Sequence, residues 1–200
     1  MKKSLKRLAI DTATKYIYLA LMIDDKEISS VYQVGDNDHS VTIIPLLDEL
    51  LKKANINLQD LDEIIVGIGP GSYTGVRIGV TVGKMISYLN NIAIYQVSSL
   101  ALLASSSNNK YVLPLIDARR NNAFMAYFSQ KKNILKYLIE DTLKNIDIFK
   151  EKLDDKYEVI EFGKPNLKKI ILLIKIEDIH KITPNYLRIT EAERNLKKWT

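Results

Sequence analysis

Apolar and polar positions change places quickly over the first 34 residues, giving three short runs, RLAIDT, YIYLALMI and EISSVYQV, separated by ATK and DDKE. Runs this short and this close predict an antiparallel meander of three strands. The period then lengthens to that of a helix. In HSVTIIPLLDELLKKA, residues Ile43, Leu46, Leu47, Leu50, Leu51 and Ala54 share one face over positions 39–54. Ser40 is placed to cap this helix, and Pro45, about one turn in, bends its first turn. The β-branched run EIIVGIG predicts a buried strand, and Thr74 to Asn90 a second helix, so the order is βββαβα. IAIYQVS and SLALLA add a further strand and helix. The polar stretch SSSNNK at 105–110 has no periodicity and divides the chain into lobes at 1–106 and 107–200.

After that connector the pattern restarts. Sliding the chain by 106 residues pairs Ile10-Asp11 with Ile116-Asp117, Tyr16 with Asn122, Lys26 with Lys132 and Ile28 with Ile134. A helical stretch (NIDIFKEKL), a strand (YEVIEFG) and an amphipathic helix (NLKKIILLIKI) are predicted to follow, completing a duplicated βββαβα unit with a compact second lobe. Two such lobes, each with an aspartate ending its first strand, describe the α/β ribonuclease H-like folds of actin and the sugar kinases. There, glycine-rich turns bring backbone N–H groups onto phosphates. The turns here are DTATK and DARRNN, and neither contains a glycine. A Cβ on every turn residue keeps the backbone away from a phosphate. Asp11 and Asp117 are therefore either remnants of a nucleotide site or turn formers held by nearby amides.

Residues 67–84, GIGPGSYTGVRIGVTVGK, hold six of the eight glycines of the chain. A Walker A loop fails, because Gly83-Lys84 is followed by Met85 and Ile78 stands where the first glycine belongs. A dinucleotide fingerprint fails at Ser72 and at Thr74. Ser72 sits on a strand-to-helix turn, as a hydrolase nucleophile does, yet its flanks are Pro70 and Thr74 instead of glycines. The only bases on offer to it are His39 and His180, 141 residues apart, which also removes any helical His pair for zinc or iron. His39 reads as a cap-region or interface residue. Gly75, Gly79 and Gly83 recur every four residues above Ile86, beside a row of Ile78, Val82, Met85 and Leu89. Interior helix glycines cost roughly 0.5–1 kcal/mol each relative to Ala. Something must therefore come within backbone distance, either the chain's own sheet or a partner's helix.

Composition narrows the setting. Of 200 residues 46% are hydrophobic, enough for one large domain or two small ones. There is no cysteine, which removes disulfides, thiolate metal sites and cysteine nucleophiles and fits a reducing compartment. No stretch approaches ~18 uncharged apolar residues, and the amino terminus reaches Asp11 before any apolar run long enough for export, so a cytoplasmic location is expected. The formal net charge of +5 is spread among glutamates rather than gathered in a block.

The segments GIGPGSYTGVRIG, AIDTAT, HSVTIIPLLDELL, VSSLALLA, LIDARRNNAFMAYF, and PNYLR followed by EAE resemble the TsaB (YeaZ) family in order and spacing, over nearly the whole chain. The resemblance implies a non-catalytic subunit of the machinery that makes threonylcarbamoyladenosine beside the tRNA anticodon. It implies pairing with the catalytic subunit TsaD, joining by the ATPase TsaE, a homodimer when TsaD is absent, and contact with tRNA through the complex. No cofactor or metal is implied. The pairing surface it implies lies on the helices at 41–54 and 74–89, which gives Ile43, Leu46, Leu47, Leu50, Gly75, Gly79, Val82, Gly83 and Ile86 as expected partner-binding residues. Two other classes remain open: an active ATPase or peptidase of the same fold, and a stand-alone tRNA-binding protein using Arg119, Arg120 and the Lys-rich tail.

Overall fold

The computed structural model describes residues 3–35, 38–153 and 156–187. Arg188, the EAE triplet at 191–193 and the Lys-rich tail, all singled out in the sequence, lie outside the described residues.

The meander forms as β1 (Lys6–Asp11), β2 (Tyr16–Ile23) and β3 (Lys26–Val34), paired antiparallel in that order. Helix α1 (His39–Ala54) follows. It begins after Asp38, so Ser40 lies inside its first turn and does not cap it. At its other end Asn55 adopts the left-handed conformation that stops a helix. Strand β4 (Glu63–Gly67) runs parallel to β1, helix α2 (Tyr73–Asn90) crosses back, and β5 (Ala93–Val97) runs parallel to β4. Strand alternation then sorts the side chains onto two faces. Leu8, Ile10, Ile17, Leu19, Leu21, Ile64 and Val66 pack under α1 and α2, while Ala9, Tyr18, Ala20 and Ile65 face the short helix α3 (Ser99–Ala104) and the second sheet.

The second lobe repeats the plan. Strands β6 (Tyr111–Asp117), β7 (Asn122–Lys131) and β8 (Ile134–Asn145) form a meander, helix α4 (Ile146–Lys150) follows, and β9 (Glu158–Ile160) lies parallel to β6 as β4 does to β1. The starts of β2 and β7 are 106 residues apart, the offset found in the sequence. The copy then breaks off. Instead of the amphipathic helix expected at 166–176, Leu167–Lys169 form a single tight turn, and β10 (Ile174–Ile176) adds to the outer edge of β5. The physical reason lies in the run IILLIKI. Ile170, Leu172 and Leu173 face the interlobe core while Ile176 packs on the core of the first lobe, so the segment bridges two cores and cannot turn one helical stripe toward either. The first sheet thus has the order β10-β5-β4-β1-β2-β3 and the second β8-β7-β6-β9.

Contacts from the second lobe pin the segment at 161–166 onto the first. The Gly163 N–H donates to Tyr32 Oη at 2.8 Å, Lys164 pairs with Glu27 at 2.6 Å, and the Asn166 N–H donates to Ser105 Oγ at 2.8 Å.

Candidate functional site

Helix α2 starts where the sequence placed a turn. Ser72 is its N-cap, and its hydroxyl accepts from the Gly75 N–H at 3.2 Å while its own N–H donates to the Ala13 carbonyl at 2.7 Å. The Ser72 hydroxyl is thus a capping group, and neither histidine serves it as a base. His39 is buried and its Nε2 donates to the Thr14 carbonyl at 3.1 Å, clamping the turn after β1, and His180 packs against Tyr88 with ring centroids 6.0 Å apart. His39, the first residue of α1, thus lies in the cap region as expected, and it is buried rather than exposed.

The glycine row points inward, which corrects the expectation that it meets a partner. A Cβ at Gly75 would strike the Thr12 carbonyl oxygen, one at Gly79 would lie 2.5 Å from Thr12 Oγ1, and one at Gly83 would lie 3.4 Å from Val66. The absent side chains let α2 settle directly on the ends of β1 and β4, and the Thr12 hydroxyl donates to the Gly75 carbonyl at 2.7 Å to fasten the contact. Ile43, Leu47, Leu50, Val82 and Ile86 are likewise buried in the chain's own core and Leu46 is half-buried. The outer faces of the same two adjacent helices carry a different set. Val41 and Ile44 on α1 are 70% and 53% exposed, and Met85, Tyr88 and Leu89 on α2 are 56%, 66% and 73% exposed. Met85, Tyr88 and Leu89, clustered in the last turns of α2, form the kind of patch that marks a contact surface, and Val41 and Ile44 lie in the first turns of α1.

The segment after β10 straps down beside this patch. Lys84 Nζ donates to the Ile182 carbonyl at 3.3 Å, the Asn185 N–H donates to the Ile68 carbonyl at 2.7 Å, and Ile182 is buried in the first-lobe core. Arg77 lies over the Tyr73 ring at 3.9 Å, and its Nε donates to Tyr186 Oη at 2.6 Å. Arg77 belongs to the glycine segment and Tyr186 to the PNYLR segment, so two motifs 109 residues apart meet on one face. No periodicity signals that pairing; only the presence of both motifs hinted that they share a task.

Asp11 and Asp117 have different surroundings. Asp11 is buried, its Oδ1 accepting from Ser99 Oγ at 2.8 Å and from the Ala13 N–H at 3.2 Å. Burial pushes its carboxyl up to about 6, against the lowering effect of those hydrogen bonds. The cavity beside it, lined by Tyr16, Tyr18, Tyr32, Ser99, Phe162 and Pro165 among others, measures about 20 Å³, room for one water. Asp117 is exposed and accepts from the Arg119 N–H at 2.8 Å. Among the described residues no three carboxylates, histidines or cysteines gather to hold a metal. The residues at Asp11 therefore do not fit a magnesium nucleotide: Glu161, Phe162, Gly163 and Pro165 line a cavity there that has room for one water.

A family model described as TsaD, tRNA N6-adenosine threonylcarbamoyltransferase, matches residues 31–188. The tRNA threonylcarbamoyladenosine biosynthesis protein TsaB of Bacillus subtilis is 30% identical over 96% of this chain and 96% of that protein. The protein of the same name from Escherichia coli is 31% identical over 63% of this chain and 56% of its own length. Among solved structures, YeaZ from Pseudomonas aeruginosa has a TM-score of 0.70 at 24% identity, covering 78% of this chain and 75% of that one. A second crystal structure, described as an uncharacterized protein with similarity to peptidase YEAZ from Pseudomonas aeruginosa, has a TM-score of 0.78 at 21% identity, covering 92% and 100%. The fold is the two-lobed α/β fold of the actin-like ATPase type.

Proposed function

The chain belongs to the TsaB (YeaZ) family, whose named members act in tRNA threonylcarbamoyladenosine biosynthesis, and on that premise we propose that it is a non-catalytic subunit that pairs with a TsaD-type threonylcarbamoyltransferase through the outer faces of α1 and α2. The observation that carries this reading is the exposed apolar set on the two helices, Val41 and Ile44 at the start of α1 and Met85, Tyr88 and Leu89 at the end of α2, with Arg77 stacked on Tyr73 and bonded to Tyr186. Interface cores favour aromatic, Met and Arg side chains in this arrangement. The inward glycines and the small cavity at Asp11 support the same division of labour. Helix α2 is fastened to its own sheet through Thr12, while Asp11 is buried beside a cavity with room for one water.

In this reading the same face makes a homodimer when the catalytic subunit is absent, a TsaE-type ATPase joins the pair, and the work is done in the cytoplasm. The test is co-expression with the TsaD of the same organism. Met85→Asp with Leu89→Asp places two charges in the proposed interface at positions exposed in the free chain. Co-elution and modified tRNA should both be lost, with the stability of the free chain held within ~0.5 kcal/mol per substitution, the usual reach of a surface change. Undiminished co-elution of that variant would move the interface elsewhere.

A further inference from the structure

We propose that the turn between β6 and β7 binds the phosphodiester backbone of RNA directly, through Arg119 and Arg120. The proposal goes beyond the pairing reading and draws on it only for the kind of polyanion that is present.

Three observations meet in this turn. First, Arg119, Arg120 and Asn121 are left-handed in succession, with φ of 69°, 56° and 58°. A residue with a Cβ adopts that conformation at a cost, and a run of three persists only where the surroundings impose it. Second, the surroundings do impose it. The Arg119 N–H donates to Asp117 Oδ1, Asn122 Nδ2 to the Arg120 carbonyl at 2.9 Å, Asn121 Nδ2 to Asp147 Oδ2 at 2.6 Å, and the Ile146 N–H to the Asn121 carbonyl at 3.0 Å. Third, both nearby carboxylates, Asp117 and Asp147, are committed to shaping the backbone and the Asn121 amide. Among the described residues no ion pair involves Arg119 or Arg120. The other two described arginines are engaged, Arg7 with Asp24 and Asp25, and Arg77 with Tyr73 and Tyr186.

A turn that bends at a cost, is fixed by four hydrogen bonds and displays two adjacent exposed arginines with no ion pair among the described residues is pre-organised for an anion. A guanidinium fork matches a phosphate diester in two-point geometry, and two forks side by side match successive phosphates of a strand. The turn belongs to the second lobe, whereas the apolar patch belongs to helices of the first, so a protein partner on the patch does not occupy it.

The test uses the isolated full chain and a labelled tRNA transcript, with anisotropy read from ~50 to ~300 mM salt, where counterion release gives a log–log slope of about 0.9 per phosphate contact. Arg119→Gly with Arg120→Gly should flatten the slope by about 2 and weaken binding by roughly tenfold per arginine. The same pair should melt at or above the temperature of the parent, because glycine relieves the left-handed strain. Arg119→Asn with Arg120→Asn, which keeps a left-handed preference without charge, should match the glycine pair in binding. Replacement by lysine at both positions should retain the slope. Parental binding without salt dependence, or a glycine pair with unchanged slope and affinity, overturns the proposal. So does a glycine pair that keeps tRNA and loses co-elution with the catalytic subunit, since that would make the turn a protein contact. Loss of tRNA with co-elution intact supports the proposal and leaves the pairing surface standing on its own test.

Discussion

One added methyl group at position 79 decides which way the glycine row of α2 works. An ideal Cβ there lies 2.5 Å from Thr12 Oγ1 and 3.7 Å from Ile10 Cγ2. Thr12 is fully buried and its hydroxyl is the donor that fastens α2 to β1 through the Gly75 carbonyl. Gly79→Ala therefore gains about 1 kcal/mol of helix propensity, loses ~1–3 kcal/mol to overpacking and loses another ~1–3 kcal/mol if the buried hydroxyl gives up its acceptor. The net is a loss of about 1–5 kcal/mol. At a midpoint of ~3 kcal/mol, a chain of this size should melt about 6–12 °C lower. Position 83 supplies the internal control. Its Cβ would lie at an ordinary contact distance of 3.4 Å from Val66, so propensity dominates and Gly83→Ala should be neutral or up to ~1 kcal/mol stabilising. Thermal melts of the two single variants, and of Thr12→Ala combined with Gly79→Ala, separate the terms, and the double variant should cost less than the sum of its parts. If Gly79→Ala melts as high as Gly83→Ala while losing its catalytic partner, the row faces outward and the inward reading is refuted.

Two further variants probe the interlobe core. Asp11 has its carboxyl raised from 3.8 to about 6 by burial, so between those values the folded chain holds a proton that the unfolded chain has lost. Stability from the protonated form is full below about pH 4 and falls as pH rises through about 6, by about 3 kcal/mol at ~1.4 kcal/mol per tenfold difference in acidity. Asp11→Asn should flatten that slope in urea titrations, and an unchanged slope would show that another group carries it. Lys169 is buried, with its ammonium donating to the Ser107 carbonyl and, at 2.7 Å, to Asn108 Oδ1. Lys169→Ala leaves the carbonyl of buried Ser107 unmet, Asn108 being open to water, and should cost about 1–3 kcal/mol, with Lys169→Met recovering the part due to packing. A Lys169→Ala melt within a degree of the parent would remove the lysine from the list of groups that hold the connector.

Much of this was legible in the sequence because periodicity is a local property. The meander, both long helices and the 106-residue repeat follow from spacing. What failed was orientation and partnership. The interval of four fixed which glycines share a face of α2, but not whether that face meets β1 or a foreign helix, because both demand small residues. The error carried over to Ile43, Leu47 and Leu50, which are apolar for the ordinary reason that α1 buries them. The row that remains exposed, Met85, Tyr88 and Leu89, was visible only in part as the neighbour of the glycines. In NLKKIILLIKI the apolar run fits a helix or a strand equally well, and the choice was made by a distant event, the open edge of β5. Lys169 gave no signal at all, since a lysine among lysines reads as surface.

That open edge has a consequence for how the chain is made. Strand β5 is complete once residue 97 has emerged from the ribosome, yet the strand that covers its outer edge is β10, at residues 174–176. For the time needed to synthesise almost the whole second lobe, the nascent first lobe carries an uncovered row of N–H and C=O groups, the template on which strands of other chains add. At a synthesis rate of ~5–20 residues per second the exposure lasts roughly 4–16 s. Chain shortening anywhere before residue 174 makes it permanent. A fragment ending at the polar connector would therefore be expected to associate or be degraded rather than survive as a free first lobe, since β10, three residues from a stretch that carries no recognised motif, is what covers that edge.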